Sequence, residues 1–281
     1  MEAIKSLVPK KFTEPLSDTR TEEQTAKDRE EAFNSSPGDL NAEEYDCAVC
    51  RNKGTVMKAV KREDSWDCVY SPCKCLKTRA TIRNIKNSGL KDIIKDYTFD
   101  KFTAAEDWQK TLKSGAVKYA DNPEGWFFIG GQSGAGKTHI CAAICRKLLL
   151  EGKAVRYMLW RDEISKLKSN INIPEIYGPL TDELKNAEIL FIDDLFKTGK
   201  ADNGSRQRPT SADINTAFEI LNYRYCNSKL PTVISSECTI NDIIDIDEAL
   251  SGRIFEKAGV NAFNISPDRG KNYRLKKITE L

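Results

Sequence analysis

The 281-residue chain has no apolar run approaching the roughly 20 residues needed to cross a bilayer. Between Met1 and Lys11 there is no apolar h-region and no small-residue cleavage signal, so export is not expected and the compartment read from the sequence is the cytoplasm. Net charge is almost absent: 44 basic residues against 42 acidic ones leave +2, which excludes a histone-like or polyanion-coating protein. The one histidine, His139, is expected to be neither a metal ligand nor a general base. With 40% hydrophobic and 31% charged residues, the composition is that of a globular protein with an ordinary core, and the length fits one large domain plus a smaller one.

The overall neutrality hides a local asymmetry. Residues 1–46 carry six basic and twelve acidic side chains, net −6, whereas residues 51–95 carry twelve basic and four acidic ones, net +8. The acidic arm is broken by Pro9, Pro15 and Pro37 and reads as weakly ordered. Within it, Thr21–Phe33 has the makings of a short helix capped by Thr21, and Ile4, Leu7 and Val8 form a small apolar patch. A zinc-binding and basic helical region is expected over 47–95, and the main domain over 96–281. Nine cysteines are many for a chain without an export signal, but five lie between Cys47 and Cys75, which points to metal rather than a disulfide framework. Cys141, Cys145, Cys226 and Cys238 read as small buried hydrophobes.

From Tyr97 onward, short apolar runs alternate with helix-like segments. WFFIG (126–130), AVRYMLW (154–160), ILFID (189–193), PTVIS (231–235) and VNAFNI (260–265) are five such runs, most of them apolar throughout. Helices are expected at 137–150, from Asp162 and at 211–227. That texture belongs to an α/β fold, a buried parallel sheet with helices on both faces. Between the first run and its helix lies GGQSGAGKTH, in which Gly131, Gln132, Ser133, Gly134, Ala135, Gly136, Lys137 and Thr138 complete G-x-x-x-x-G-K-T. Glycines at 134 and 136 let the backbone curl until its N–H groups face a phosphate, and the helix N-terminus adds its dipole. Lys137 can reach the β- and γ-phosphates, and the Thr138 hydroxyl can enter a Mg²⁺ shell. ILFIDD supplies the acidic counterpart: Asp193 is placed to hold the Mg²⁺ shell, and Asp194 to polarise the attacking water. The site expected is therefore one for ATP with Mg²⁺.

Together with YTFDKF, NYRYCNSKLPTVISSE and IDEALSGRIFEKA, these motifs resemble those of bacterial and phage replicative-helicase loaders of the DnaC/DnaI type, within the AAA+ ATPases. The resemblance covers roughly Cys47 to Leu281 and implies an AAA+ core with a five-stranded parallel sheet and no separate helical lid. It places the sensor strand, PTVIS, between the phosphate-loop strand and the acidic strand. It implies that Asp193 is the metal-site acid and Asp194 the catalytic acid that AAA+ proteins more often supply as Glu. Glu237 occupies the first-sensor position, commonly an Asn; an ionised Glu cannot donate a hydrogen bond, and Ser236 is the alternative. Arg253 resembles a trans-acting arginine finger, a fixed charge able to neutralise a neighbouring subunit's transferring phosphoryl group. The competing reading of Arg253 is an ion pair with Glu248 or Glu256. Arg224 is a second candidate for an inter-subunit phosphate contact, and Arg274 lies in the region of a second sensor.

Cys47-x₂-Cys50 and Cys73-x-Cys75 bracket a basic, partly apolar loop containing Cys68. Four thiolates fit a closed tetrahedral Zn²⁺ site, whose task would be folding, since roughly thirty residues bury too little apolar surface alone. The family pattern favours Cys47, Cys50, Cys73 and Cys75 as ligands, with Cys68 as substitute. Trp66 reads as knuckle core; the alternative is that Trp66, Tyr70 and the basic run Lys74–Lys95 meet single-stranded DNA. The function implied is ATP-dependent loading of a replicative helicase onto single-stranded DNA, with self-association through the ATPase domain and turnover that is slow until DNA or a partner stimulates it. The rival readings are an IstB-like transposition helper ATPase and a zinc-containing nucleotide-binding adaptor with little hydrolysis.

Overall fold

The computed structural model describes residues 20–40, 44–87, 91–199, 207–227 and 229–274. The apolar patch at Ile4, Leu7 and Val8 lies outside them. Two compact units divide at Leu76/Lys77, so the acidic helix and the cysteine region belong to one unit.

In the first unit, helix α1 (Glu22–Ser35) starts where the Thr21 hydroxyl accepts from the Gln24 N–H and the Gln24 side chain accepts from the Thr21 N–H. This reciprocal cap satisfies two otherwise orphaned donors. The loop between the cysteine pairs is a hairpin, β1 (Thr55–Arg62) and β2 (Ser65–Pro72), paired antiparallel from Thr55↔Pro72 to Arg62↔Ser65. Helix α1 lies on it through polar hooks. The Asn34 amide donates to the Met57 carbonyl at 2.8 Å and accepts from the Met57 N–H at 3.0 Å, and Glu30 accepts from the Ala59 N–H at 2.8 Å. Trp66 is half-buried with the Lys27 ammonium 5.7 Å from its ring centroid, while Tyr70 is exposed and meets Phe33 edge-on.

Helices α2 (Cys75–Asn87), α3 (Lys91–Asp96) and α4 (Asp107–Asp121) lead into the second unit's alternating pattern. It continues as β3 (Trp126–Gly131), α5 (Lys137–Leu150), β4 (Val155–Leu159), α6 (Trp160–Ser169), α7 (Pro174–Asn186) and β5 (Ile189–Leu195). It closes with α8 (Ser211–Cys226), β6 (Thr232–Ser236), α9 (Ile240–Ile246), α10 (Glu248–Ala258) and β7 (Ala262–Ile265). The strands form one parallel sheet in the order β4-β5-β6-β3-β7, placing the sensor strand β6 between the acidic and phosphate-loop strands as the family resemblance implies.

The continuous apolar runs are explained by burial on both faces. Phe127, Ile129, Phe191 and Val233 pack against α4 and α5, whereas Trp126, Phe128, Ile192 and Ile234 pack among residues of α6, α8 and α10. Period-two alternation thus serves two cores, and the carboxylates of β5 come only at its carboxyl edge. Of the cysteines read as buried hydrophobes, Cys141, Cys145 and Cys238 are buried, but Cys226 is exposed because it ends α8, past the helix's last turn of packing.

Candidate functional site

All strands of a parallel sheet end on the same edge, and that edge carries the site. The loop after β3 can turn there because Gly131, Gly134 and Gly136 all adopt positive φ (110°, 74° and 86°). A Cβ at Gly131 would overlap the Ile265 carbonyl oxygen, and one at Gly134 the Asn272 side chain. Gly136 caps α5, and Ala135 is buried beneath the loop. The C-terminal segment lies across the loop: the Tyr273 N–H donates to the Gly134 carbonyl at 3.1 Å, and the Asp268 N–H to the Gln132 side chain at 3.3 Å.

Lys137 is only 6% exposed, and its ammonium donates to the carbonyls of Gly131 and Gln132, each at 2.9 Å. Burial lowers its pKa, against the opposing pull of Glu237 and Asp194. Next to it the Thr138 hydroxyl donates to Asp193 Oδ1 at 3.0 Å, so residues 55 apart in sequence meet at the strand edge. Asp193, 4% exposed, also accepts from Ser235 Oγ and from the Tyr157 hydroxyl at 3.2 Å. Burial raises its pKa, and the three hydroxyls oppose that rise.

A register shift separates Asp193 from its neighbour. Between Ile192 and Leu195 strand β5 bulges against β6, and Asp194 adopts φ +59°. The bulge re-aims a side chain that strict alternation would send into the opposite core. Asp194 therefore faces the site, with its N–H donating to Ser235 Oγ at 3.0 Å. Lys197 donates to Asp194 Oδ2 at 2.7 Å and stands 3.3 Å from Glu237 Oε1. Burial alone would lower the Lys197 pKa and raise that of Glu237. The ion pairs outweigh it, so Lys197 is held above its ordinary value and Glu237 below, the latter helped by Ser133 and Lys137.

Lys137, Thr138, Asp194, Lys197 and Glu237 line a cavity of about 250 Å³ together with Tyr97, Phe102, His139, Tyr273 and Arg274, with Asp193 buried behind Thr138. His139 stacks on Tyr97 (ring centroids 4.5 Å apart, planes 10° apart), lies edge-on to Phe102, and shares a 2.8 Å hydrogen bond with the Thr98 carbonyl. Its pKa is lowered by burial, which outweighs the Thr98 carbonyl contact.

Three sequence expectations need revision or sharpening. Ser236 does not face the cavity: it is fully buried, donating to the Leu195 carbonyl at 2.6 Å and accepting from the Cys238 N–H at 3.0 Å. Its hydroxyl is spent on the β5–β6 backbone, while Ser235 and Glu237 flank the site. Arg224 is no surface contact either. It is 0% exposed and donates to Thr232 Oγ1 and to the carbonyls of Leu184, Lys185, Ala187 and Pro231 at 2.7–3.2 Å. Arg253 stands outside its own chain's cavity, on α10. Asn222 and the Ala249 carbonyl hold it, Phe218 lies 4.8 Å beneath it, and among the described residues it forms no ion pair with Glu248 or Glu256. Sequence reasoning missed Ser235, Tyr157 and Lys197. The one signal that could have found Lys197 is its place three residues after Asp194, just beyond ILFIDD.

In the first unit, Cys47, Cys50, Cys73 and Cys75 are all buried, and their sulfurs lie within 4.8 Å of one another. No disulfide joins them. The Gly54 N–H points at Cys50 Sγ from 3.3 Å. Four convergent, unbridged thiols with a backbone donor fit a closed metal site. Cys68 is excluded by geometry. It sits on β2 opposite Ala59, with its sulfur near the Ala26 carbonyl.

The sequence matches the family described as IstB-like ATP binding protein over residues 74–280. It is 30% identical over 230 residues to the phage-like element PBSX protein XkdC of Bacillus subtilis, covering 78% of this chain and 82% of that one. It is 30% identical over 117 residues to the replicative helicase loader DnaC of Escherichia coli K12, covering 40% of this chain and 48% of DnaC. A crystal structure of the DnaC helicase loader has the same fold, with a TM-score of 0.51 at 18% identity over 62% of this chain and 98% of that one. The chain belongs to the IstB-like ATP-binding protein family and has the AAA+ fold seen in the DnaC helicase loader.

Proposed function

We propose that the protein is an ATPase that loads a replicative helicase onto single-stranded DNA, acting in the bacterial cytoplasm. The Thr138–Asp193 contact beside Lys137 carries the ATPase part. It joins a hydroxyl and a carboxylate at the mouth of a phosphate loop, the arrangement a nucleotide with its Mg²⁺ requires. The loader part rests on kinship with the replicative helicase loader DnaC.

Thr138 and Asp193 would hold Mg²⁺, which when bound neutralises charge on the β- and γ-phosphates. The loop N–H groups of 131–138 cradle the phosphates, and Lys137 turns from the loop carbonyls onto them. Asp194 orients and deprotonates the attacking water. Arg253 of a second copy neutralises the transferring phosphoryl group, which makes turnover depend on self-association. Turnover in this reading is slow until DNA or a partner is bound. In this reading residues 96–281 are the motor, residues 47–95 carry zinc on Cys47, Cys50, Cys73 and Cys75, and the acidic arm 1–46 with that region contacts the helicase.

The test is light scattering after size exclusion, with the full chain and its host's replicative helicase in ATP and in ADP. An ATP-dependent complex is expected; intact helicase hexamers with no complex in either state would refute the loader reading. Lys137→Ala should abolish ATP binding, and unchanged affinity in a titration would refute the nucleotide site.

A further inference from the structure

We infer that Lys197 is the group that reads the γ-phosphate and so distinguishes ATP from ADP. This rests on the cavity being the nucleotide site. The position that follows Ser235 and Ser236 on the sensor strand holds Glu237, and a carboxylate kept below its ordinary pKa offers no proton to a phosphate oxygen. Asp194, on the same side, is a second carboxylate. Left alone, the two acids would repel the most anionic part of ATP.

Lys197 lies between them and is bound to both, 2.7 Å from Asp194 and 3.3 Å from Glu237. Its placement is built in rather than incidental. The Lys197 N–H closes a turn onto the Asp194 carbonyl at 2.9 Å. That turn passes through Phe196, which holds φ +58°. A bulky residue enters that region only when its surroundings hold it there, and Phe196 is fully buried with its ring edge-on to Trp160. The turn delivers the Lys197 ammonium to the cavity wall that Lys137 also lines.

An ammonium has three donors, so Lys197 can keep Glu237 and exchange Asp194 for a γ-phosphate oxygen. Glu237 then acts as the anchor of a cationic sensor, replacing the neutral side-chain donor usual at this place. ADP has no γ-phosphate to draw Lys197 away, so the Asp194 pair stays closed and Asp194 remains neutralised.

Binding titrations of the full chain with ADP and with the non-hydrolysable β,γ-imido analogue of ATP test this. Wild type should bind the ATP analogue more tightly. Lys197→Met should lower affinity for the ATP analogue by about tenfold or more, the range of one charge-assisted hydrogen bond, with ADP affinity unchanged. Lys197→Arg should keep most of the preference. Equal effects on both nucleotides, or no effect on either, would overturn the inference while leaving the nucleotide site standing. Wild type that binds neither nucleotide would overturn the site reading and this inference with it. If Lys197→Met fails to fold, Lys197→Gln decides: losing the ammonium should weaken the ATP analogue severalfold relative to ADP, and an unchanged ratio overturns the proposal.

Discussion

Replacing Arg224 with methionine separates a structural arginine from a phosphate-binding one. The side chain is fully buried and donates five hydrogen bonds, four of them to backbone carbonyls of the α7–β5 connection and the start of β6. Methionine fills most of the volume but donates nothing, so those oxygens lose their partners. Each buried, unsatisfied acceptor costs about 1–3 kcal/mol, and the costs are not additive because neighbours relax and water enters. With four carbonyls and one hydroxyl losing a donor, and relaxation recovering part of that cost, we take about 4 kcal/mol as the expected loss. Against a stability of about 5–15 kcal/mol that is a large fraction. At about 2–4 °C per kcal/mol it corresponds to a Tm lower by about 8–16 °C. Thermal unfolding followed by near-ultraviolet circular dichroism measures it, with ATP affinity taken well below Tm. We expect ATP affinity unchanged in the folded protein. Stability within about 1 kcal/mol of wild type, combined with lost turnover in the assembled state, would refute the structural role and return Arg224 to a phosphate.

Arg253→Ala should leave ATP binding intact and reduce DNA-stimulated turnover by about 10³-fold, the range of an arginine finger; full retained turnover would contradict that role. Metal analysis of purified protein should return about one zinc per chain. Cys68→Ser should keep that zinc and Cys75→Ser lose it; the reverse pattern would move the ligand set onto β2. Asp213 caps α8 and pairs with Lys168 at 2.8 Å, and although burial raises its pKa, Lys168 and Thr210 hold it below the ordinary value. A depressed carboxylate stabilises the fold above its unfolded pKa of about 4 and loses that contribution as pH falls through the native value. Asp213→Asn should therefore cost about 1–2 kcal/mol at pH 7 in urea unfolding, with the gap to wild type closing below about pH 4; a pH-independent gap would assign the loss to shape alone.

The phosphate loop was legible because its chemistry is local: glycines, a lysine and a threonine act within one strand–turn–helix unit. The five strands were legible because each had to be apolar on both faces; the cysteine cluster stood out by its density, but the choice of Cys47, Cys50, Cys73 and Cys75 over Cys68 came only from the family resemblance. Asp193 could be singled out as the acid at a strand end, but not its partners. Tyr157 and Ser235 reach it from β4 and β6, and neighbourhood across a parallel sheet leaves no mark in sequence spacing. The same holds for Arg224: an arginine in LNYRY reads as exposed until the fold wraps five acceptors around it.

Ser236 shows the limit most sharply. Alternation along β6 puts Ser235 on the face of Val233 and Ser236 on that of Ile234, and which face meets the site is decided only by how the sheet is assembled. Residue chemistry and local periodicity thus determined the kind of site and the layers of the fold. The bulge at Asp193–Asp194, the left-handed turn that returns Lys197 to the cavity, and the division of labour between Ser235 and Ser236 were decided by tertiary structure. They depend on hydrogen bonds and packing between strands about 40 residues apart, whose balance no local pattern encodes.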